Sequence, residues 1–322
     1  MIVLSPFAAR SRVLHLISIP KFRPTLRSFS AKMSSDLYIT RARQCVPLLS
    51  NELHKGQAGR VGVIGGSFEY TGAPFFAAMS ALKFGADVVH LFCIRDAAIP
   101  IKSYSPEIMV HPVLDDPSDP IKLITPWLDR LHVVVIGPGL GRDPAVFATI
   151  RRLLAVCREM GKPLVIDADA LFLVSQDLSL IANYPGAIIT PNIVEFSRIF
   201  GDGDDHTEKF DQIGASVTIL KKGFSDTIYS GVNKVGDLVT VQGGKGRRCG
   251  GQGDILAGCT AVLYAWALKA EETEPAKVAC VGASHFVKVL NETTFAAKGR
   301  SMTPTDMIEH IHDVFDTHFE RK

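Results

Sequence analysis

The sequence predicts an α/β fold, one domain built on a central, mainly parallel sheet with helices on both faces. Three observations carry that prediction. From about residue 38 onward, short β-branched runs alternate with longer stretches of helical apolar spacing, the order of repeated β-α units. The β-branched runs are continuously apolar, as strands covered on both faces must be. A glycine then closes each helical stretch, where a left-handed residue lets the chain turn away.

In chain order the strand candidates are RVGVIGG (60–66), ADVVHLFC (86–93), HVVVIGPG (132–139), KPLVIDAD (162–169), GAIITPN (186–192), SVTILKKG (216–223) and DLVTVQGG (237–244). Helical spacing marks 72–85, 144–161 and 192–201. The stretch DILAGCTAVLYAWALKA (254–270) is apolar on nearly every face, which predicts a buried helix. The segment 201–216 is short for a connection that carries a helix. No repeat or low-complexity linker divides the chain, so residues 36–322 read as a single domain. Residues 1–35 differ: six Arg and Lys precede the first acidic residue, Asp36, among many serines. That composition fits an organelle transit peptide, mitochondrial rather than plastid, or a disordered basic leader. Met33 offers a second start that would leave a cytoplasmic form.

Composition excludes several function classes. Net charge is +2, too small for the concentrated basic surface that nucleic acid requires. No apolar run approaches the roughly 20 residues of a membrane-spanning helix. The six cysteines form no CxxC pair and several lie in apolar runs, so buried free thiols and a reducing compartment are expected.

Chemistry-bearing loops follow the strands one after another, and in open α/β sheets ligands bind beyond the carboxyl ends of strands. RRCGGQGDILAG (247–258) sets Gly250, Gly251 and Gly253 before Asp254 at the start of the buried helix. Helix starts leave N–H groups without intrahelical partners, and glycines let a phosphate approach them. Asp254 fits two roles there, helix cap or general base taking a proton from an attacking hydroxyl; the three glycines favour the base. GPGLGRD (137–143) is neither a Walker loop nor a dinucleotide fingerprint. Its Gly139 and Gly141 suit close approach to a ligand or a plain turn, and Arg142 suits an anion. Asp167 and Asp169 fit a water-mediated Mg²⁺ contact or a substrate hydroxyl, with capping by Asp169 the favoured reading. Asn192 and Glu195 have capping-box spacing, and Glu195 is also a hard oxygen donor able to reach Mg²⁺ through water. Lys222 and the Gly223 backbone suit a nucleotide, with an ordinary surface lysine the default alternative. Gly66, Ser67, Gly72, Ala73 and Pro74 suit a flat ligand or tight packing, and His111 suits structure better than catalysis.

Together these stretches resemble the ATP-dependent NAD(P)H-hydrate dehydratases, a ribokinase-like family. The likeness runs from GRVGVIGGSFEYTGAPFFAAMSALKFGADVVHLFC through YSPEIMVHPVL, VVVIGPGLGRD, PLVIDADAL, ITPNIVEFSRIFG and ILKKGFSD to RRCGGQGDILAG. The resemblance implies repair of the S-hydrates of NADH and NADPH, with ATP as co-substrate and Mg²⁺ as cofactor. It implies that Lys222, Gly223, Phe224, Ser225 and Asp226 hold ATP. Gly244, Lys245, Gly246, Arg247, Arg248, Cys249, Gly250, Gly251, Gln252 and Gly253 would complete that site. Gly139, Asn192, Ile193, Val194, Glu195, Phe196, Ser197, Arg198 and Asp254 would face the hydrate. A homo-oligomer and functional pairing with an NAD(P)H-hydrate epimerase are further implications, with neither nucleic acid nor membrane as partner. Competing readings are a hydroxymethylpyrimidine- or thiazole-type kinase that keeps its phosphorylated product and a non-catalytic nucleotide sensor.

Overall fold

The computed structural model describes residues 26–52, 54–232, 234 and 237–320. Most of the leader lies outside the described residues; helix α1 (Leu26–Cys45) runs through the boundary drawn at residue 35. Then come β1 (Arg60–Ile64), α2 (Gly72–Phe84), β2 (Val88–Cys93), α3 (Arg95–Tyr104), β3 (Met109–Pro112) and α4 (Pro120–Leu128). β4 (Val133–Ile136), α5 (Pro144–Glu159), β5 (Leu164–Ile166), α6 (Ala168–Gln176), β6 (Ala187–Ile189) and α7 (Ile193–Phe200) follow. After the seven-residue α8 (Thr207–Ile213) come β7 (Thr218–Lys221), β8 (Ser225–Tyr229) and β9 (Val239–Gln242). Four helices close the chain: α9 (Gln252–Lys269), α10 (Pro275–Lys298), α11 (Pro304–Glu309) and α12 (Ile311–His318).

All the strands among the described residues lie in one sheet of order β3-β2-β1-β4-β5-β6-β7-β8-β9. Neighbours are parallel from β3 to β7, and β8 and β9 add an antiparallel margin. The seven expected strands are present. β3 and β8 were not expected, for physical reasons. β3 is a four-residue edge strand ending in proline, and β8 (SDTIY) alternates buried and half-buried residues as an antiparallel strand near a margin does.

Alternation through the sheet builds two cores. Val133 and Val135 face one side with Val61, Val63 and the helices α1, α2, α9 and α10. Val134 and Ile136 face the other with α4 to α7. Helix α9 is buried without interruption from Ile255 to Ala267, packed against both α2 and α10, as its all-round apolar sequence requires. Gly258 makes the α2 contact possible, since a Cβ there would lie 2.2 Å from the Ala77 carbonyl oxygen. None of the described cysteines forms a disulfide and, apart from Cys249, they are buried; burial pushes the Cys93 and Cys157 thiols up to about 12. Among the described residues no helix is long and apolar enough to cross a membrane.

Candidate functional site

The start of α9 stands among the loops at the carboxyl ends of β5, β6 and β7. Its N-cap is Gly251, at φ +97, where a Cβ would also fall 2.4 Å from Pro304 Cγ. Both the backbone conformation and the packing therefore require glycine. No side chain caps this helix. Asp254 is its third residue, the position from which an acidic side chain can reach back to the N-cap, and it does not. Glu195 does so on α7: its Oε2 accepts from Asn192 N–H at 2.8 Å, while Asn192 Oδ1 accepts from Val194 and Glu195 N–H. The capping reading thus holds for Asn192 and Glu195 and not for Asp254. As at any helix start the first N–H groups of α9 lack intrahelical partners, and no side-chain cap takes their place, as an anion cradle needs.

Charges converge on this point. Asp167, 1% exposed at the end of β5, accepts from Lys222 Nζ at 2.6 Å. That ammonium lies 3.2 Å from where a Gly253 Cβ would stand, so the lysine sits beside the first turn of α9. Burial lowers the affinity of Lys222 for its proton, but Asp167, Glu195 and Asp254 reverse this, and its pKa is raised. Asp254 is raised well above the ordinary carboxylate range, first by burial and then by Asp167; Lys222 opposes this, while Glu195 and Asp169 add to it. Glu195 is raised too, mainly by burial. A half-buried carboxylate with elevated proton affinity, accepting no hydrogen bond from a described residue, has the surroundings that suit taking a proton from a hydroxyl.

The expected capping by Asp169 is corrected. Its Oδ2 accepts from Gly141 N–H at 3.0 Å and its Oδ1 lies 3.5 Å from Arg142 Nε, so it fastens the β4–α5 loop. Nor are Asp167 and Asp169 joined by extended chain, since Ala168 between them is left-handed at φ +50.

On the β7 side a cleft is lined by Lys222, Gly223, Asp226, Gly244, Lys245, Arg248, Gln252 and Gly253, all anticipated. Gly243, Leu256 and, from α10, Val287, Lys288 and Asn291 complete it. Sequence reasoning missed the α10 wall because its residues form no motif. A lysine and an asparagine on an amphipathic helix look like any solvent-facing pair. Asp226 lines the cleft and is also held by the fold. It is buried, accepting from Gly223 N–H at 2.8 Å and Ser284 Oγ at 2.6 Å, with Lys288 Nζ at 3.3 Å, so it holds the cleft's shape. Phe224 is 70% exposed at the rim, and Ser225 Oγ is buried without a partner. Asn291 and Glu292 accept from the N–H groups of Lys245 and Gly244. Gln252 Nε2 donates to the Arg247 carbonyl and to Cys249 Sγ, closing the loop on itself. Gly246 and Gly250 have open space around them.

On the other side, Ile193, Val194 and Arg198 are exposed and Ser197 is half-buried. Phe196 is a correction: it is 1% exposed, its ring packed with Phe200, Phe210 and Tyr229 in the core, with Lys221 over its face. Gly139, at φ +58, is buried against the Tyr70 carbonyl, where a Cβ would stand 2.5 Å away. Its glycine is required by the approach of two loops. Ser67 is buried with an unpartnered Oγ beside Gly141. His111 lies apart, hydrogen-bonded to His90 at 2.9 Å under Trp127; burial, then His90 and Lys102, pull it down to about 4, so it is neutral and structural.

Among the described residues no group of three His, Cys, Asp or Glu side chains is placed to bind a metal unaided. Such a site suits Mg²⁺ only as that ion is commonly held, with few carboxylates, retained waters and substrate phosphates. Glu195 and Asp167 each engage one oxygen and keep the other without a described hydrogen bond, whereas Asp169 engages both.

A family model described as NAD(P)H-hydrate dehydratase matches residues 61–313. An ATP-dependent (S)-NAD(P)H-hydrate dehydratase of Aedes aegypti is 56% identical over 286 residues, 88% of this chain and 86% of that protein. In fold, the chain is similar to a ribokinase-like superfamily protein of Enterococcus faecalis (TM-score 0.73, 23% identity, 88% and 95% of the two chains). It is also similar to an ADP/ATP-dependent NAD(P)H-hydrate dehydratase of Bacillus subtilis co-crystallised with ATP/Mg²⁺ (TM-score 0.63, 20% identity, 88% and 97%).

Proposed function

The chain belongs to the NAD(P)H-hydrate dehydratase family, and from that premise we infer that it dehydrates the S-hydrates of NADH and NADPH at the expense of ATP, through Asp254. The observation that carries the residue assignment is the uncapped start of α9: a carboxylate of raised proton affinity beside open backbone donors.

ATP enters the cleft between the β7–β8 turn, the 243–253 loop and α10. The nicotinamide ring, bearing its hydroxyl, lies against Asp254. Asp254 removes the hydroxyl proton as the oxygen attacks the γ-phosphorus, and ADP leaves with the electrons of the broken P–O bond. Negative charge on the phosphoryl oxygens is met by the N–H groups at the start of α9 and by Lys222, which Asp167 holds in place. The ring nitrogen's lone pair then expels inorganic phosphate from the ring carbon, and loss of a proton from the adjacent carbon restores the double bond. Phosphate is a far better leaving group than hydroxide, which is the chemical reason for spending ATP. Mg²⁺, with Glu195 reaching it through water, would neutralise nucleotide phosphate charge. Because one epimer alone is consumed, the reading includes functional pairing with an NAD(P)H-hydrate epimerase.

The test is direct. Purified protein with ATP, Mg²⁺ and hydrated NADH should regenerate nicotinamide absorbance and release one phosphate per NADH. Asp254→Asn should lose about 10²-fold or more in kcat while still binding ATP. A lasting phosphoester product would instead identify a small-molecule kinase, and near-normal turnover of the variant would remove Asp254 as the base.

A further inference from the structure

We propose that Arg142 and Arg198, both stacked on the ring of Phe172, form a clamp for the diphosphate of the dinucleotide substrate. The proposal rests on the dehydratase reading and extends it to a part of the substrate remote from the reacting ring.

The three side chains come from separate elements: Arg142 from the β4–α5 loop, Phe172 from α6 and Arg198 from α7. The Arg142 guanidinium carbon lies 4.2 Å from the Phe172 centroid and that of Arg198 lies 5.6 Å from it. Arg142 is 58% exposed and its ion pair is with Asp169, at 3.5 Å. Neither guanidinium donates a hydrogen bond to a described residue. Other arginines of this chain spend their donors: Arg158 on the carbonyls of Ala182 and Leu180, Arg41 on Glu272 and Glu274. Two guanidinium forks held by stacking with their donors open are pre-organised for an anion, so little rotamer entropy is lost on binding.

Their position identifies the anion. Asp169 and Glu195, which act on Asp254, stand beside Arg142 and Arg198 respectively. The clamp therefore borders the reacting point on the α6–α7 side, and the ATP cleft occupies the α10 side. With the hydroxylated ring against Asp254 and triphosphate entering from α10, the rest of the dinucleotide leaves over α6 and α7. The first anionic group beyond the nicotinamide ribose is the diphosphate, common to NADH hydrate and NADPH hydrate. Asp169 and Glu195 offset part of the arginines' charge, so the clamp works on an anion delivered by the ring more than on free phosphate.

Steady-state kinetics with saturating ATP test this on wild type, Arg142→Ala, Arg198→Ala and Phe172→Leu. The substrates are NADH hydrate, NADPH hydrate and the hydrate of dihydronicotinamide riboside, which has no phosphate. Each arginine variant should raise KM about tenfold for both dinucleotides, by similar factors, with no comparable rise for the riboside. Phe172→Leu, which keeps both charges, should raise KM less than either arginine variant. Unchanged KM overturns the clamp. A rise confined to NADPH hydrate overturns it in favour of the 2′-phosphate, and an equal rise with the riboside overturns it in favour of a damaged ring site. If wild type turns over no hydrate at all, the dehydratase reading itself fails, an outcome distinct from the other three.

Discussion

The surroundings that raise the proton affinity of Asp254 also strain the fold. Its folded-state pKa is raised by burial and by Asp167, whereas in the unfolded chain it returns to about 3.9. A raised carboxylate leaves the folded state binding more protons than the unfolded one. Stability from this group therefore falls as pH rises above the unfolded value, until the folded group has ionised too. Asp254→Asn should accordingly unfold at a higher temperature than wild type at neutral pH. The gain should shrink towards zero as pH falls to about 4, a trend that thermal melts at several pH values will read. A Tm equal to wild type throughout would mean that the carboxylate is better solvated than its environment implies. Capping geometry separates the acidic residues: Glu195 returns its hydrogen bond to the N-cap of its helix, and Asp254, in the same position on α9, does not. Spacing could not distinguish the two, because both follow a strand and both precede an apolar run.

Helix α9 carries the site because it is held on all sides, and Gly258 is where that hold is closest. A Cβ there would meet the Ala77 carbonyl at 2.2 Å and Ser80 Oγ at 2.3 Å. Gly258→Ala must therefore push α2 and α9 apart, and it should destabilise the protein by about 1–3 kcal/mol in urea unfolding. Gly250→Ala, whose Cβ meets nothing within 4 Å at an ordinary φ, should leave stability nearly unchanged. Equal effects would show that α2 and α9 adjust freely. The elements legible in the sequence were those with an unambiguous pattern: continuous apolar strands, a helix apolar all round, glycine stops. β3 and β8 escaped because an edge or antiparallel strand mixes polar with apolar residues and, at four or five positions, is too short to show a period.

At the scale of the molecule, the parallel strands bring the loops after β4, β5, β6 and β7 to the start of α9, while α10 closes the cleft from the far end of the chain. ATP binding should join β7, β8, α9 and α10 and stabilise the fold by mass action, by about 2.7 kcal/mol at a hundredfold excess over Kd. A thermal shift that grows with the logarithm of ATP concentration, in wild type and in Asp254→Asn alike, is the expected reading. Loss of the shift in the variant would place Asp254 in nucleotide binding itself.

By itself the sequence determined the strand-helix alternation, the glycine-rich start of α9 and the set of loops that share one crevice, because periodicity and glycine placement are local properties of the chain. It also brought Asp254 forward as the base. Only the tertiary structure decided which polar residues act on the site and which support it. Phe196 is turned inward, Asp226 is tied to Ser284, Asp169 fastens a loop, Lys222 is tied to Asp167, and α10 supplies a wall. A side chain's partners are set by segments distant in sequence, and whether a carboxylate is a cap, a tie or a base depends on which N–H, ammonium or void those segments bring to it.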